Sequence, residues 1–159
     1  MFRIGKGIDF HKVEKAPGAS LPICGVLIEE GIKVIAHSDG DVGYHALVDA
    51  MLGAMALGDI GDHFPPTDDR WRACDSSVFV SHALRLLQDR GAKVVNIDIN
   101  IIAEHPKIKK YREQMRQKIS LLLEIPTDCV SVKATTTELL GFIGRGEGIA
   151  AEAVCLIQV

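Results

Sequence analysis

Paired cysteines are absent from this chain of 159 residues. Cys24, Cys74, Cys129 and Cys155 are widely scattered, a spacing that matches neither a zinc ribbon nor a disulfide framework. Unpaired cysteines predict a reducing compartment, and Cys155, set inside an apolar run, reads as a small core residue. An excess of basic residues is also missing. Lys and Arg number 18 against 21 Asp and Glu, a net charge of −3, which argues against nucleic acid or an anionic membrane as the main partner. No apolar run approaches the roughly 20 residues that span a bilayer. The N-terminus lacks the apolar core of a secretory signal, since Asp9 arrives too early, and no transit peptide is expected in it. Internal repeats, linkers and low-complexity segments are lacking too. What is present is 47% apolar and 25% charged residues, enough for one domain over residues 1–159 with a core that needs no disulfide.

The pattern along the chain alternates strand-like and helix-like segments. Residues 2–13 read as a strand, and residues 21–29 as a second strand or hairpin arm after the Pro17-Gly18 turn. A polar stretch, Ala36-His37-Ser38-Asp39-Gly40-Asp41, precedes a helix over about 41–57, capped by Asp39 or Asp41 and ended by Gly58. Val42, Ala46, Leu47, Ala50, Met51, Ala54 and Met55 give it one apolar face, while Asp41, His45 and Asp49 recur every four residues on another. Residues 59–72, rich in Pro, Gly and Asp, read as loop. Asp75-Ser76-Ser77 opens a helix to about Arg90, Lys93 to Ala103 is a strand, and Pro106 breaks it. A third helix covers about 108–124. Val130 to Thr136 is a strand, the four glycines between 141 and 148 mark a backbone-driven loop, and Ala150 to Val159 is the last strand.

The order, ββ-α-α-β-α-β-β, predicts an α+β fold in two layers, with a single mixed sheet and helices packed on one face. The last strand is more apolar than one buried face requires, at Ala151, Ala153, Val154, Cys155, Leu156 and Ile157. The uncovered sheet face is therefore a candidate subunit interface.

The chemistry-bearing residues fall at the ends of these elements. In a strand, Asp9 and His11 project to one face, and His45 follows early in the first helix. One carboxylate and two imidazoles with a fourth position open is the ligand set of a catalytic zinc. The same side chains also read as ordinary hydrogen-bonded residues, because six histidines in 159 residues make chance pairs easy. Asp49, one turn after His45, reads either as support for the metal ligands or as a solvated helix residue. Lys133-Ala134-Thr135-Thr136-Thr137-Glu138 leads from a strand into the glycine-rich loop. Its hydroxyls and free amides suit phosphate oxygens, and a carboxylate among phosphates serves to hold a divalent ion. The residues thus suggest a zinc site beside an anion site.

Taken together, these motifs resemble those of the 2-C-methyl-D-erythritol 2,4-cyclodiphosphate synthase family of the non-mevalonate isoprenoid pathway. The resemblance runs through Arg3-Ile4-Gly5-x-Gly7-x-Asp9-x-His11, Ala36-His37-Ser38-Asp39-Gly40-Asp41-Val42-x-x-His45-Ala46-Leu47 and Leu57-Gly58-Asp59-Ile60-Gly61. It continues in Phe64-Pro65-x-Thr67-Asp68, Asp75-Ser76, Val132-Lys133-Ala134-Thr135-Thr136-Thr137-Glu138 and Gly144-Arg145-Gly146-Glu147-Gly148-Ile149-Ala150. It implies cyclisation of 4-diphosphocytidyl-2-C-methyl-D-erythritol 2-phosphate with release of CMP. By the resemblance, Asp9, His11 and His45 bind zinc, Glu138 binds Mg²⁺ or Mn²⁺, and His37 and Thr136 stabilise the transition state. Asp9, His11, His37 and Ser38, the loop residues Asp59, Ile60 and Gly61, and Phe64, Thr67 and Asp68 match substrate-contacting positions. Ala103, Pro106, Lys107, Ile108 and Lys109 match the cytosine pocket, and Thr135, Thr136, Thr137 and Glu138 the diphosphate site. The family is a homotrimer with sites between subunits and its sheets facing the trimer axis. Its axial cavity holds isoprenoid diphosphates, with Phe142 and Arg145 at matching positions, and Arg145 and Glu147 also read as a simple ion pair. The implied location is the cytoplasm of a bacterium, or the plastid stroma after removal of a transit peptide.

Three positions depart from the family pattern. Pro66 stands where an Asp is usual, and Asp62 or Asp68 is available to compensate. Leu139 stands for a Lys, and Lys6 for a His. Two rival readings are a zinc hydrolase that activates water and a trimeric sensor of isoprenoid diphosphates. The first lacks an adjoining base such as that of His-Glu-x-x-His, and the second has no use for two metal sites.

Overall fold

A computed structural model describes residues 1–159. The strands are β1 (Phe2–Lys15), β2 (Leu21–Ile23), β3 (Val26–Ile28), β4 (Ile32–Ile35), β5 (Lys93–Ile102), β6 (Val130–Thr135) and β7 (Gly148–Gln158). The helices are α1 (Val42–Ala54), α2 (Ile60–His63), α3 (Ser77–Gln88), α4 (Arg112–Leu123) and α5 (Gly141–Gly144). Five strands form one sheet in the order β4-β1-β7-β5-β6, and β2 and β3 form a separate hairpin. Only β5 and β6 run parallel, as the crossover through α4 allows. The helices lie on one face, α1 across β1 and β7 and α4 against β6, with α3 packed on α1. No helix is long and apolar enough to cross a membrane.

Alternation along β1 decides how α1 is placed. Gly5 and Gly7 are buried beneath the helix, whereas Phe2, Ile4, Lys6, Ile8 and Phe10 point to the open side. A Cβ at Gly5 would collide with the Ala50 carbonyl and the Ala54 amide, and one at Gly7 with the Ala46 carbonyl. Glycine is thus required here for backbone-to-backbone approach rather than for its dihedral freedom. Asp9 and His11 continue the same face beyond the glycines.

The start of α1 is fixed by a buried carboxylate. Asp41 is the N-cap, its Oδ1 accepting from the amides of Tyr44 (3.0 Å) and Cys24 (2.7 Å) and its Oδ2 from that of Gly25 (2.7 Å). Burial raises the pKa of this carboxyl against the pull of the three amides.

Several boundaries differ from the sequence reading. Residues 21–29 are two strands, because Cys24 and Gly25 both take left-handed dihedrals and turn the chain back. Ile32–Ile35 is an edge strand on β1, which the sequence reading left out although its β-branched run carried the signal. α1 ends at Ala54, before Gly58: Ala56 takes the left-handed position, its amide bonding Gly53 O and that of Leu57 bonding Leu52 O. That C-terminal motif favours glycine, and here an alanine fills it. α1 is also buried on nearly every side, with only Asp49 and Gly53 outside the core, rather than on one face. The loops 59–72 and 141–148 contain the short helices α2 and α5.

The predicted consequence of the glycine contact is specific. Gly7→Ala forces α1 off β1 and destabilises the fold by about 3 kcal/mol, the upper end for overpacking. An unchanged urea midpoint with unchanged metal uptake would contradict that packing argument.

Candidate metal centre and active site

The close approach of α1 to β1 brings His45, one turn into the helix, over the side chains of Asp9 and His11. His11 Nε2 lies 3.0 Å from Asp9 Oδ2 and 3.0 Å from His45 Nδ1, and His45 Nδ1 lies 3.1 Å from the same Oδ2. These three atoms form a near-equilateral triangle. A tetrahedral zinc with bonds of about 2.0–2.1 Å keeps its ligand atoms roughly 3.3 Å apart, so the triangle needs only slight expansion to hold one. The donor set, two imidazole nitrogens and one carboxylate oxygen, leaves a fourth position for an external ligand. Burial alone would raise the Asp9 carboxyl, but the hydrogen bonds and charges of His11 and His45 outweigh it and hold it well below the usual carboxylate range.

The far side of His45 is held as well. Its Nε2 lies 2.8 Å from Ser76 Oγ and 3.2 Å from Ser38 Oγ. Ser76 Oγ in turn donates to Asp39 Oδ1, and the Ser76 amide donates to Asp39 Oδ2 at 2.9 Å. With Nδ1 turned to a metal, Nε2–H donates to Ser76, which fixes the tautomer and the ring. Ser76 begins α3 but makes no side-chain cap there, because its hydroxyl is committed to Asp39. The sequence reading gave no role to Asp39 or Ser76 in the metal centre; the Asp75-Ser76 motif was the available signal. Asp49 fits neither of its sequence readings. Its Oδ1 accepts from the Ile60 amide at 2.7 Å, tying the 59–63 loop to α1. Burial pushes its carboxyl up, against that hydrogen bond.

Other site residues from the sequence reading lie around this centre. His37 Nε2 is 3.3 Å from Asp68 O, and the Ser38 hydroxyl accepts from the Gly40 amide at 3.3 Å. Asp59, Ile60 and Gly61 form the start of α2, with Asp59 and Asp62 joined in a reciprocal cap. Phe64 is 9% exposed and packs its ring on Phe79 and Trp71, so it holds the loop down from inside. Thr67 is exposed, and Asp68 is paired with Arg70 at 2.6 Å. Both carboxylates offered as substitutes for the residue replaced by Pro66 therefore already have partners.

The second cluster sits at the ends of the parallel pair. Ile102 of β5 is in register with Thr135 of β6, and the Ala103 amide donates to Thr135 O at 3.0 Å. This sets Ala103, Pro106, Lys107, Ile108 and Lys109 beside Thr135, Thr136, Thr137 and Glu138. Ala103, Pro106 and Ile108 are buried, whereas Lys107 and Lys109 are exposed. The Thr136 hydroxyl donates to Glu138 Oε1 at 2.8 Å. Phe142 is half exposed, with its ring 6.2 Å from that of Phe10, and Arg145 makes a two-point pair with Glu147 at 2.9 Å.

One chain does not bring the two clusters together. Asp9 pairs with Ala151, Ala151 with Ile101, and Ile101 with Ala134. Three strand spacings, roughly 14 Å, therefore separate the triad from the strand that carries Thr135.

Comparisons with known proteins extend over nearly the whole chain. A family model described as the YgbB family matches residues 2–158. A bifunctional enzyme IspD/IspF of Hyphomonas neptunium is 55% identical over 156 residues, covering 98% of this chain and 41% of the relative. The chain thus spans about two fifths of the length of that bifunctional relative. A 2-C-methyl-D-erythritol 2,4-cyclodiphosphate synthase of Xanthomonas oryzae is 54% identical, covering 98% of this chain and 94% of the relative. Among solved structures, IspF of Plasmodium falciparum in complex with CDP superposes with a TM-score of 0.86 at 37% identity, over 98% of this chain and 95% of that one. The bifunctional IspDF of Campylobacter jejuni gives a TM-score of 0.93 at 38% identity, over 99% of this chain and 42% of that one.

If Ser76 and Asp39 hold His45 as described, Ser76→Ala weakens zinc affinity about 10–100-fold with the fold intact. Competition against a chromophoric chelator measures this. Wild-type affinity in that variant would remove the Ser76–Asp39 pair from any part in metal binding.

Proposed function

The chain belongs to the YgbB family, and from that premise we propose that it converts 4-diphosphocytidyl-2-C-methyl-D-erythritol 2-phosphate to 2-C-methyl-D-erythritol 2,4-cyclodiphosphate and CMP. In this reaction an oxygen of the 2-phosphate attacks the β-phosphorus. A new P–O bond closes the ring, the bond from the β-phosphorus to the bridging oxygen breaks, and CMP leaves with that oxygen. Nucleophile and electrophile belong to one molecule and both are anionic. The barrier is then mostly orientation and charge repulsion, and little proton transfer is required.

Residues 1–159 act in this reading as one catalytic domain. Asp9, His11 and His45 hold zinc, and Glu138 holds Mg²⁺ or Mn²⁺. When bound, the two cations would supply charge stabilisation to the crowded phosphate oxygens. His37 and Ser38 stand beside the triad to orient the 2-phosphate end, with Asp59, Ile60 and Gly61 at the erythritol. Thr135 and Thr136 hold the diphosphate through hydroxyls and amides, beside the turn in which Thr137 is bonded to Glu104, and residues 103–109 take the cytosine. The convergence of the triad, with its ring-fixing hydrogen bonds to Ser76, is the observation that carries the proposal. A water-activating hydrolase is less well supported: the free nitrogen of His45 is already engaged by Ser38 and Ser76, and no base is assigned to the fourth position.

The 14 Å separation of the two clusters supports a site completed by a second copy. On the open sheet face, Phe2 is 63% exposed, Ile4 69%, Ile8 48% and Phe10 52%. Such an apolar surface suits burial against other copies. We assign it to a homotrimer whose sheets face the axis, with an isoprenoid diphosphate as the ligand of the axial cavity, walled by Phe10 and Phe142. The bacterial relatives support a cytoplasmic setting.

Incubating the pure protein with the cytidylyl substrate and Mg²⁺ is expected to give CMP and a cyclic diphosphate in equal amounts by ³¹P resonance. CMP with an acyclic phosphate product would replace the proposal by the hydrolase. His45→Ala is expected to lose zinc and at least about 10²–10³-fold in rate while sedimenting as the wild type does; retained cyclisation would refute the ligand set.

A further inference from the structure

Glu138 lies in an unusual stretch of backbone. Glu138 and Leu139 both take left-handed dihedrals, with φ of 53° and 63°, and neither is a glycine. Side chains resist that region, and two such residues in succession hold only where neighbours fix them. The fixing group is Glu104. Its Oε1 accepts from the Thr137 amide at 3.0 Å and from the Leu139 amide at 3.2 Å. The two amides that flank Glu138 thus converge on one carboxylate oxygen. The Thr137 hydroxyl lies 3.2 Å from the same oxygen and 2.8 Å from Leu140 O. The turn is closed by the Leu140 amide on Thr137 O at 3.0 Å. Glu104 makes these bonds from the segment just after β5, next to the residues assigned to cytosine.

We propose that Glu104 is a positioning residue for Glu138: it clamps the amides on either side and holds the turn that presents the Glu138 carboxylate to the divalent ion of the diphosphate. The inference rests on the proposed cyclisation and deepens it, by coupling the cytosine segment to the second metal position. Glu104 does not touch the reacting atoms. Its carboxyl is held below its ordinary value: burial raises it, and the amides of Leu139 and Thr137 more than offset that. This agrees with an ionised acceptor.

The test compares Glu104→Gln with Glu104→Leu in the full chain loaded with zinc. Gln keeps an acceptor oxygen at the end of the side chain, and Leu keeps comparable bulk without one. The Mg²⁺ concentration for half-maximal cyclisation is expected to rise about tenfold or more in Glu104→Leu, the effect of losing support behind a metal ligand. In Glu104→Gln it stays near the wild-type value. Zinc content stays unchanged in both, because the hydrogen bonds of Glu104 go to Thr137 and Leu139 and none reaches Asp9, His11 or His45. Amide hydrogen exchange at Thr137 and Leu139 accelerates in the Leu variant and not in the Gln variant. A merely structural role would lower the melting temperature without moving the Mg²⁺ dependence. A wild-type Mg²⁺ dependence in Glu104→Leu overturns the inference, and so does a Gln variant as impaired as the Leu variant. If Glu104→Leu does not fold, Glu104→Ala takes its place under the same criteria. Absence of cyclisation in the wild type would sink the proposed reaction instead, and the exchange measurement would still judge the clamp by itself.

Discussion

Direct contact between the backbones of α1 and β1 is the constraint from which the candidate site follows. Gly5 and Gly7 leave no side chain between helix and strand, and the Ala50 and Ala46 carbonyls occupy the space a Cβ would need. Side-chain packing at ordinary helix–sheet separations would hold His45 several ångströms from the strand. With the glycines in place, the next two residues on that face, Asp9 and His11, reach the first turn of the helix without bending either element. The triad is therefore built on regular secondary structure, which fixes side chains more closely than loops do.

Distance alone does not set the position of His45 along the helix axis. Asp41 does that. Its carboxylate takes three amides, one from its own helix and two from the turn between β2 and β3. A slip of α1 by one residue would leave those buried donors unpaired, which is far less favourable than a shift between apolar surfaces. Ser76 and Asp39 then settle the rotation of the ring. Translation, register and ring orientation are thus controlled by three separate sets of residues. None of these residues is itself one of the metal-facing groups.

The sequence carried these features unevenly. The period-two spacing of Asp9 and His11 placed both on one face, and the four-residue spacing around His45 placed it on a helix. Both periodicities are local, so they could be read directly. The hairpin turn at Cys24-Gly25 and the end of α1 at Ala56 depend on left-handed dihedrals at residues that rarely adopt them, and composition gives no sign of that. Phe64 looked like a loop residue available to substrate, but long-range packing on Phe79 and Trp71 buries it. Asp49, readable either as support for the metal ligands or as a solvated helix residue, bonds the Ile60 amide. Glu104 was least legible. Its partners lie 33 and 35 residues away in the chain, and only the parallel register of β5 and β6 brings them alongside.

That same register explains why the second cluster stands apart from the first. Parallel strands end at the same edge of the sheet, so the segments after β5 and β6 emerge side by side and form one polar corner. The triad belongs to the antiparallel part, where β1 meets β7. Within one chain, β7 and β5 stand between the two. These strands cannot be removed, because β7 is the middle strand of the sheet and supplies much of the surface on which α1 packs. Under the proposed cyclisation, a substrate whose two phosphates must meet would be gripped at both ends if the corner of one copy faced the triad of another. The open face, with its exposed Phe2, Ile4, Ile8 and Phe10, provides the surface on which copies would associate. Under that proposal assembly and catalysis share a cause: the strand order that separates the two clusters within a chain also leaves exposed the apolar face that would reunite them between chains.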